Sequence, residues 1–116
     1  MADLVIFHNP SCSKSRGALA ILEARGVDHE VVRYKETPPD RATLERIVAG
    51  VDAPPSVLVR LYPAFKEAGL TAADVETAEQ VVDVLLAHPG LLQRPIVMKG
   101  DRAVIGRPPE DVEALL

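Results

Sequence analysis

Cysteine occurs once in this chain, tryptophan not at all, and the only aromatics are Phe7, Tyr34, Tyr62 and Phe65. A lone thiol, Cys12, can close no disulfide within the chain and cannot build a Cys-rich zinc site. The scattered rings make no platform for stacking bases. Positive charge is not in excess: 13 Lys and Arg against 17 Asp and Glu leave a net charge of -4, so no overall field draws in nucleic acid or an anionic membrane. No apolar run approaches the roughly 20 residues of a membrane span. The start, Met1-Ala2-Asp3, is acidic ahead of the short apolar run Leu4 to Phe7, unlike a secretory signal. These absences predict a cytoplasmic protein without nucleic-acid or membrane partners. Cys12 is left as either a buried spectator or a reactive thiol.

What is present suits one globular domain. Of 116 residues, 47% are apolar and 26% charged, far from the composition of a disordered chain. A chain of this length buries roughly two thirds of its unfolded surface and needs neither disulfide nor metal to hold a core.

Leu4-Val5-Ile6-Phe7, stopped by Asn9-Pro10, reads as a buried strand entering a loop. Small hydroxyl residues from Ser11 to Ser15 suit a helix cap. Ala18, Leu19, Ile21, Leu22 and Ala24 follow at helical spacing, with Gly26 as the stop. Val31, Val32 and Tyr34 predict a second strand, completing a βαβ unit. Pro38-Pro39-Asp40 opens a helix through Leu44, Ile47 and Val48 to Gly50. Pro54-Pro55-Ser56 starts a short helix, and Thr77 with Gln80 forms a capping box for Val81 to Ala87. Ile96-Val97-Met98 and Ala103-Val104-Ile105 flank Gly100-Asp101 as a tight hairpin, and Pro109-Glu110-Asp111 begins a terminal helix. The expected order is βαβ, a helical insertion at about 38–92, then ββα, an α/β fold with a small mixed sheet in a single domain spanning 1–116.

The loop between the first strand and helix sets Cys12 where backbone N–H groups lack helical partners and the helix dipole is positive. That position favours thiolate over thiol and predicts a pKa below the free value of about 8.5. Lys14 and Arg16 add positive charge, and His8 is placed to donate a hydrogen bond. A dithiol redox motif would need a second cysteine where Ser15 stands, and a phosphatase-type loop an arginine where Ala18 stands. A resolving thiol must therefore come from another molecule. Arg60 is set among apolar residues, and Arg94 and Arg107 precede prolines that hold their backbones extended. Both lie at expected strand ends, so they could reach the same sheet end as the cysteine loop. His29 and His88 have no second ligand at metal spacing, and no metal is implied.

The stretch from His8 through Cys12 to Arg16, together with Gln93-Arg94-Pro95-Ile96-Val97 and Ile105-Gly106-Arg107-Pro108-Pro109-Glu110, resembles the glutaredoxin-coupled arsenate reductase family, its short members above all. Tyr34 to Pro39, YKETPP, is similar to that family's strand exit. The resemblance implies a thioredoxin-like fold with a helical insertion and a cis peptide at Arg94-Pro95. It implies Cys12 as nucleophile, His8 assisting the thiolate, and Arg60, Arg94 and Arg107 as the oxyanion-binding set. The implied substrate is arsenate or a similar oxyanion, with glutathione as co-substrate, glutaredoxin as recycling partner and no bound cofactor. An arginine's planar fork suits a tetrahedral dianion under attack by a thiolate. Two other readings stay open: a glutathione-linked reductase of protein mixed disulfides, and a non-catalytic regulatory protein of the same fold.

Overall fold

A computed structural model describes residues 3–61 and 63–116; Tyr62, counted among the aromatics, and Met1-Ala2 of the acidic start lie outside them. Strand β1 (Leu4–His8) runs at the centre of the sheet. It pairs in parallel with β2 (Glu30–Arg33) and antiparallel with β3 (Ile96–Lys99), which pairs antiparallel with β4 (Arg102–Ile105), giving the order β2-β1-β3-β4. A central strand covered on both faces needs apolar side chains at consecutive positions, which is why Leu4 to Phe7 shows no alternation.

The two faces carry separate cores. Leu4, Ile6 and Val97 point to one side, against Ala18 and Leu22 of α1 (Ser13–Ala24) and Val112 and Leu115. Phe7, Ile96 and Met98 point to the other, against Leu44 and Ile47 of α2 (Arg41–Gly50) and Val81 and Leu85 of α4 (Ala78–Ala87). The period of two along β1 and β3 therefore gives the helical insertion one face and α1 with the C-terminal turn the other.

Local capping fixes the helical insertion between β2 and β3. Asp40 caps α2 by accepting the Thr43 N–H at 2.8 Å. Thr77 and Gln80 bond reciprocally at the start of α4, at 3.2 and 3.0 Å, as their spacing predicts. Short 3-10 turns at Pro55–Leu58, Ala72–Val75 and Pro89–Leu91 and the one-turn helix α3 (Ala64–Glu67) fill the rest. The hairpin turn between β3 and β4 has Gly100 at φ 59°, a left-handed conformation that glycine adopts without strain. The fold is the thioredoxin-like arrangement expected from the sequence, and Arg94-Pro95 is cis. Arg107-Pro108 is cis as well, which was not anticipated.

Two elements differ from expectation. Tyr34 lies outside β2, because the N–H groups of Glu36 and Thr37 both reach the Arg33 carbonyl at 2.9 Å and close a turn there. The terminal helix, Pro109–Leu115, is 3-10 throughout. Its three-residue turn places Val112 and Leu115 in line, both facing the core.

Candidate active site

Strand direction gathers the marked residues at one end of the sheet. β1, β2 and β4 run the same way, and β3 runs against them. The segments after β1, β2 and β4 and the segment before β3 therefore share an edge, and they carry Cys12, Tyr34, Arg107 and Arg94 respectively.

Asn9 shapes the cysteine loop with three hydrogen bonds. Its carbonyl accepts the Cys12 N–H at 3.0 Å, its side-chain oxygen accepts the Ser11 N–H at 2.9 Å, and its own N–H donates to Ser15 Oγ at 3.0 Å. Arg16 ties the outer turn by donating to the Pro10 carbonyl at 2.8 Å. The result makes Cys12 itself the N-cap of α1, where a serine was the expected cap, and the neutral thiol makes no cap hydrogen bond. Burial pushes the Cys12 pKa up. That effect is outweighed by the Ser15 N–H, the Arg94 guanidinium and the Lys14 N–H, which together leave it below the ordinary thiol value. The helix start thus offers its free N–H groups to a thiolate.

His8 faces a different partner from the one expected. Its Nδ1 lies 2.6 Å from Ser15 Oγ, with both residues buried. Burial, then the charges of Arg33 and Arg16, lower its pKa, so the imidazole is held neutral. His8 therefore reaches the thiol's surroundings through Ser15, which also anchors Asn9. From the sequence, Ser15 stands out only as one of the hydroxyl residues suited to a cap and as the place where a second cysteine is missing.

Arg60 arrives from the helical insertion. A single antiparallel bridge, Val59 with Leu92, is closed by the Arg60 N–H to the Leu91 carbonyl and the Gln93 N–H to the Leu58 carbonyl, both at 2.7 Å. One bridge thus positions the chain on either side of it, Arg60 and Arg94. Arg107 donates to the Arg94 carbonyl at 3.0 Å, linking the third arginine to the second. Its approach needs Gly106: a Cβ there would stand 2.7 Å from Pro95 Cγ. Burial, then the neighbouring Arg94 charge, lowers the Arg60 pKa, and Arg107 adds to the effect; ionised Tyr34 and Cys12 oppose it. The structure therefore brings Cys12, Arg60, Arg94 and Arg107 into one electrostatic neighbourhood. Among the described residues, none of these three arginines forms an ion pair with a carboxylate. Repulsion between uncompensated guanidiniums is relieved by an anion. Such a set can bind a small polyanion beside a thiolate.

A large depression, about 1140 Å³, lies elsewhere among the described residues. Val57, Leu61, Phe65 and Leu70 line it, and neither the thiol nor any of the three arginines does, so its chemistry is that of an apolar groove. Among the described residues no group of three His, Cys, Asp or Glu comes together to hold a metal ion, and no helix is long and apolar enough to cross a membrane.

The sequence model of the ArsC family matches residues 7–115, a stretch that includes the cysteine loop and all three arginines. The chain belongs to the ArsC family. Within it, the chain is 41% identical to an arsenate reductase of Neisseria meningitidis serogroup A over the full length of both. It is 39% identical to an uncharacterized Escherichia coli protein, YfgD, covering 92% of this chain and 91% of that one. The arsenate reductase from Vibrio cholerae superposes with a TM-score of 0.84 at 36% identity, covering 97% of each chain. The ArsC relationship and the topology agree on the fold.

Proposed function

We propose that this chain is an arsenate reductase that works through one cysteine, with glutathione and glutaredoxin as electron donors in the cytoplasm. The observation that carries the reading is the meeting of Cys12, at a helix start that favours its thiolate, with three guanidiniums that have no carboxylate partner among the described residues. The names of the Neisseria and Vibrio relatives support arsenate as the oxyanion.

Arg60, Arg94 and Arg107 hold the arsenate dianion and offset its repulsion for the thiolate. Cys12 Sγ bonds to arsenic, and one arsenic oxygen leaves as water after protonation. The glutathione thiolate then attacks Sγ of that adduct; the sulfur–arsenic bond breaks, its electron pair stays on arsenic, and arsenite departs. Two electrons have moved to arsenic, and Cys12 is left in a mixed disulfide with glutathione. A glutaredoxin thiol attacks the glutathione sulfur and frees Cys12. With no second cysteine in the chain, both resolving thiols come from outside. His8 acts through Ser15 to keep the loop shaped for this attack.

The test is arsenate turnover with glutathione and glutaredoxin, comparing the wild type with Cys12→Ser. Serine is nearly isosteric but does not ionise near neutral pH, so turnover is expected to vanish while the circular dichroism spectrum stays the same. A folded Cys12→Ser protein with full turnover would refute the covalent route. A wild type that reduces protein mixed disulfides but not arsenate would replace this reading with the thiol-reductase one.

A further inference from the structure

Tyr34 is fully buried, yet its hydroxyl has no hydrogen-bond partner among the described residues. Buried hydroxyls are normally paired, and leaving one unpaired costs stability, so an orphan calls for an explanation. A second orphan lies at the same sheet end: Arg94 Nε is buried and has no partner among the described residues. Both groups can donate a hydrogen bond. The two flank the cysteine loop, Tyr34 following β2 and Arg94 preceding β3, on either side of central β1. The tyrosine belongs to the core cluster of Leu58, Val59, Leu92 and Ile96, residues that adjoin Arg60 and Arg94 along the chain. It also lies within electrostatic reach of the Arg60 guanidinium.

Three guanidiniums balance the charge of an oxyanion dianion plus a thiolate. An uncharged donor adds a hydrogen bond without disturbing that balance. We propose that Tyr34 is a further ligand of the bound oxyanion: its hydroxyl, here closed to solvent, is uncovered as the arginine side chains swing to the anion, and it then donates a hydrogen bond to an oxyanion oxygen beside Arg60 and Arg94. This rests on the arsenate-reductase reading and adds a residue that contacts the substrate to it.

The experiment measures arsenate binding by thermal unfolding, without thiol reductant, in a Cys12→Ser background that prevents covalent capture. Tyr34→Phe keeps the ring and removes only the hydroxyl. Without arsenate, this variant is expected to unfold at the same temperature or higher, because no protein partner is lost. Its arsenate Kd is expected to rise roughly 10- to 150-fold, the range for one hydrogen bond to a charged acceptor. An unchanged Kd overturns the proposal. A loss of stability without arsenate overturns it too, since the hydroxyl would then have a protein partner. Arg94→Lys in the same background separates the two levels of argument. If it weakens binding and Tyr34→Phe does not, the anion site stands and only the tyrosine's part falls. If arsenate stabilises none of these proteins, both fall.

Discussion

Cys12 and Arg60 reach the same end of the sheet by opposite routes. The thiol is set by its nearest neighbours in sequence: Asn9, Ser11, Ser15 and Arg16 close a compact set of hydrogen bonds around it within one loop and one helical turn. Arg60 depends on residues some thirty positions away, through the single bridge to Leu92 and through apolar packing on the insertion face. Local hydrogen bonds fix direction closely, because each constrains only a few backbone angles. A position held by distant packing inherits every adjustment of the core beneath it. The thiolate's stability should therefore be robust to damage in the insertion, and oxyanion binding should not.

The strongest way to break this contrast is Leu58→Ala. Leu58 is fully buried, and its carbonyl accepts the Gln93 N–H that holds the bridge. Removing its side chain leaves a cavity under the segment carrying Arg60 and is expected to cost about 2–5 kcal/mol, read as a lower urea midpoint. Arsenate affinity should fall with it. The pH at which Cys12 is half-alkylated by a neutral reagent should rise only slightly, because the Lys14 and Ser15 N–H groups that stabilise the thiolate are in the other region and only the Arg94 contribution passes through the bridge. A shift as large as the loss in arsenate affinity would show that the two regions act as one.

Ser15→Ala is the reciprocal change. It deprives both the His8 ring and the Asn9 N–H of their partner in a buried place. Leaving such groups unsatisfied is expected to cost about 1–3 kcal/mol. Here the alkylation midpoint of Cys12 should rise, since the loop that aims its Sγ at the helix start is no longer pinned. A destabilised variant with an unmoved midpoint would show that the helix N–H groups alone set the thiolate and that the loop serves only the fold.

The same contrast explains what could be read from the sequence. The first strand, its helix, the capping box at Thr77 and the glycine turn at Gly100 are local patterns, and the structure has each where the residues put it. The parallel pairing of β1 with β2 followed from the helix between them. The cap at Cys12 was misassigned to its serine neighbours, because Asn9 sets where the helix begins and an Asn-Pro pair gives no register. Tyr34 looked like a strand residue because it continues the pattern of Val31 and Val32; the turn that removes it depends on the backbone beyond. The bridge between Val59 and Leu92 is one pair long and leaves no periodicity to detect. The three arginines could be named by resemblance, but the pairing of Arg107 with the Arg94 carbonyl required the fold.

The mildest test concerns the proton on His8. The Asn9 N–H already donates to Ser15 Oγ, so the Ser15 hydroxyl proton is free to go to Nδ1 of a neutral His8, which places the ring's own proton on Nε2. Burial, Arg33 and Arg16 all disfavour the charged ring, and the folded pKa lies below the unfolded value of 6.5. As pH falls below that value the unfolded chain takes up the proton first, so the folded state loses ground. Stability is then expected to decline from about pH 6.5 downward until the folded ring also titrates, with a slope of at most about 1.4 kcal/mol per pH unit. Asp40 has a depressed pKa too, but its contribution is lost only below its ordinary value of 3.8. Cys12 contributes a separate slope at higher pH, below the ordinary thiol value. Urea midpoints between pH 7 and 5 therefore isolate the histidine, with His8→Gln as the reference that lacks the ionisation. Parallel pH profiles for the two proteins would mean that His8 keeps an ordinary pKa, and the buried link to Ser15 would then lose its standing as the anchor of the cysteine loop.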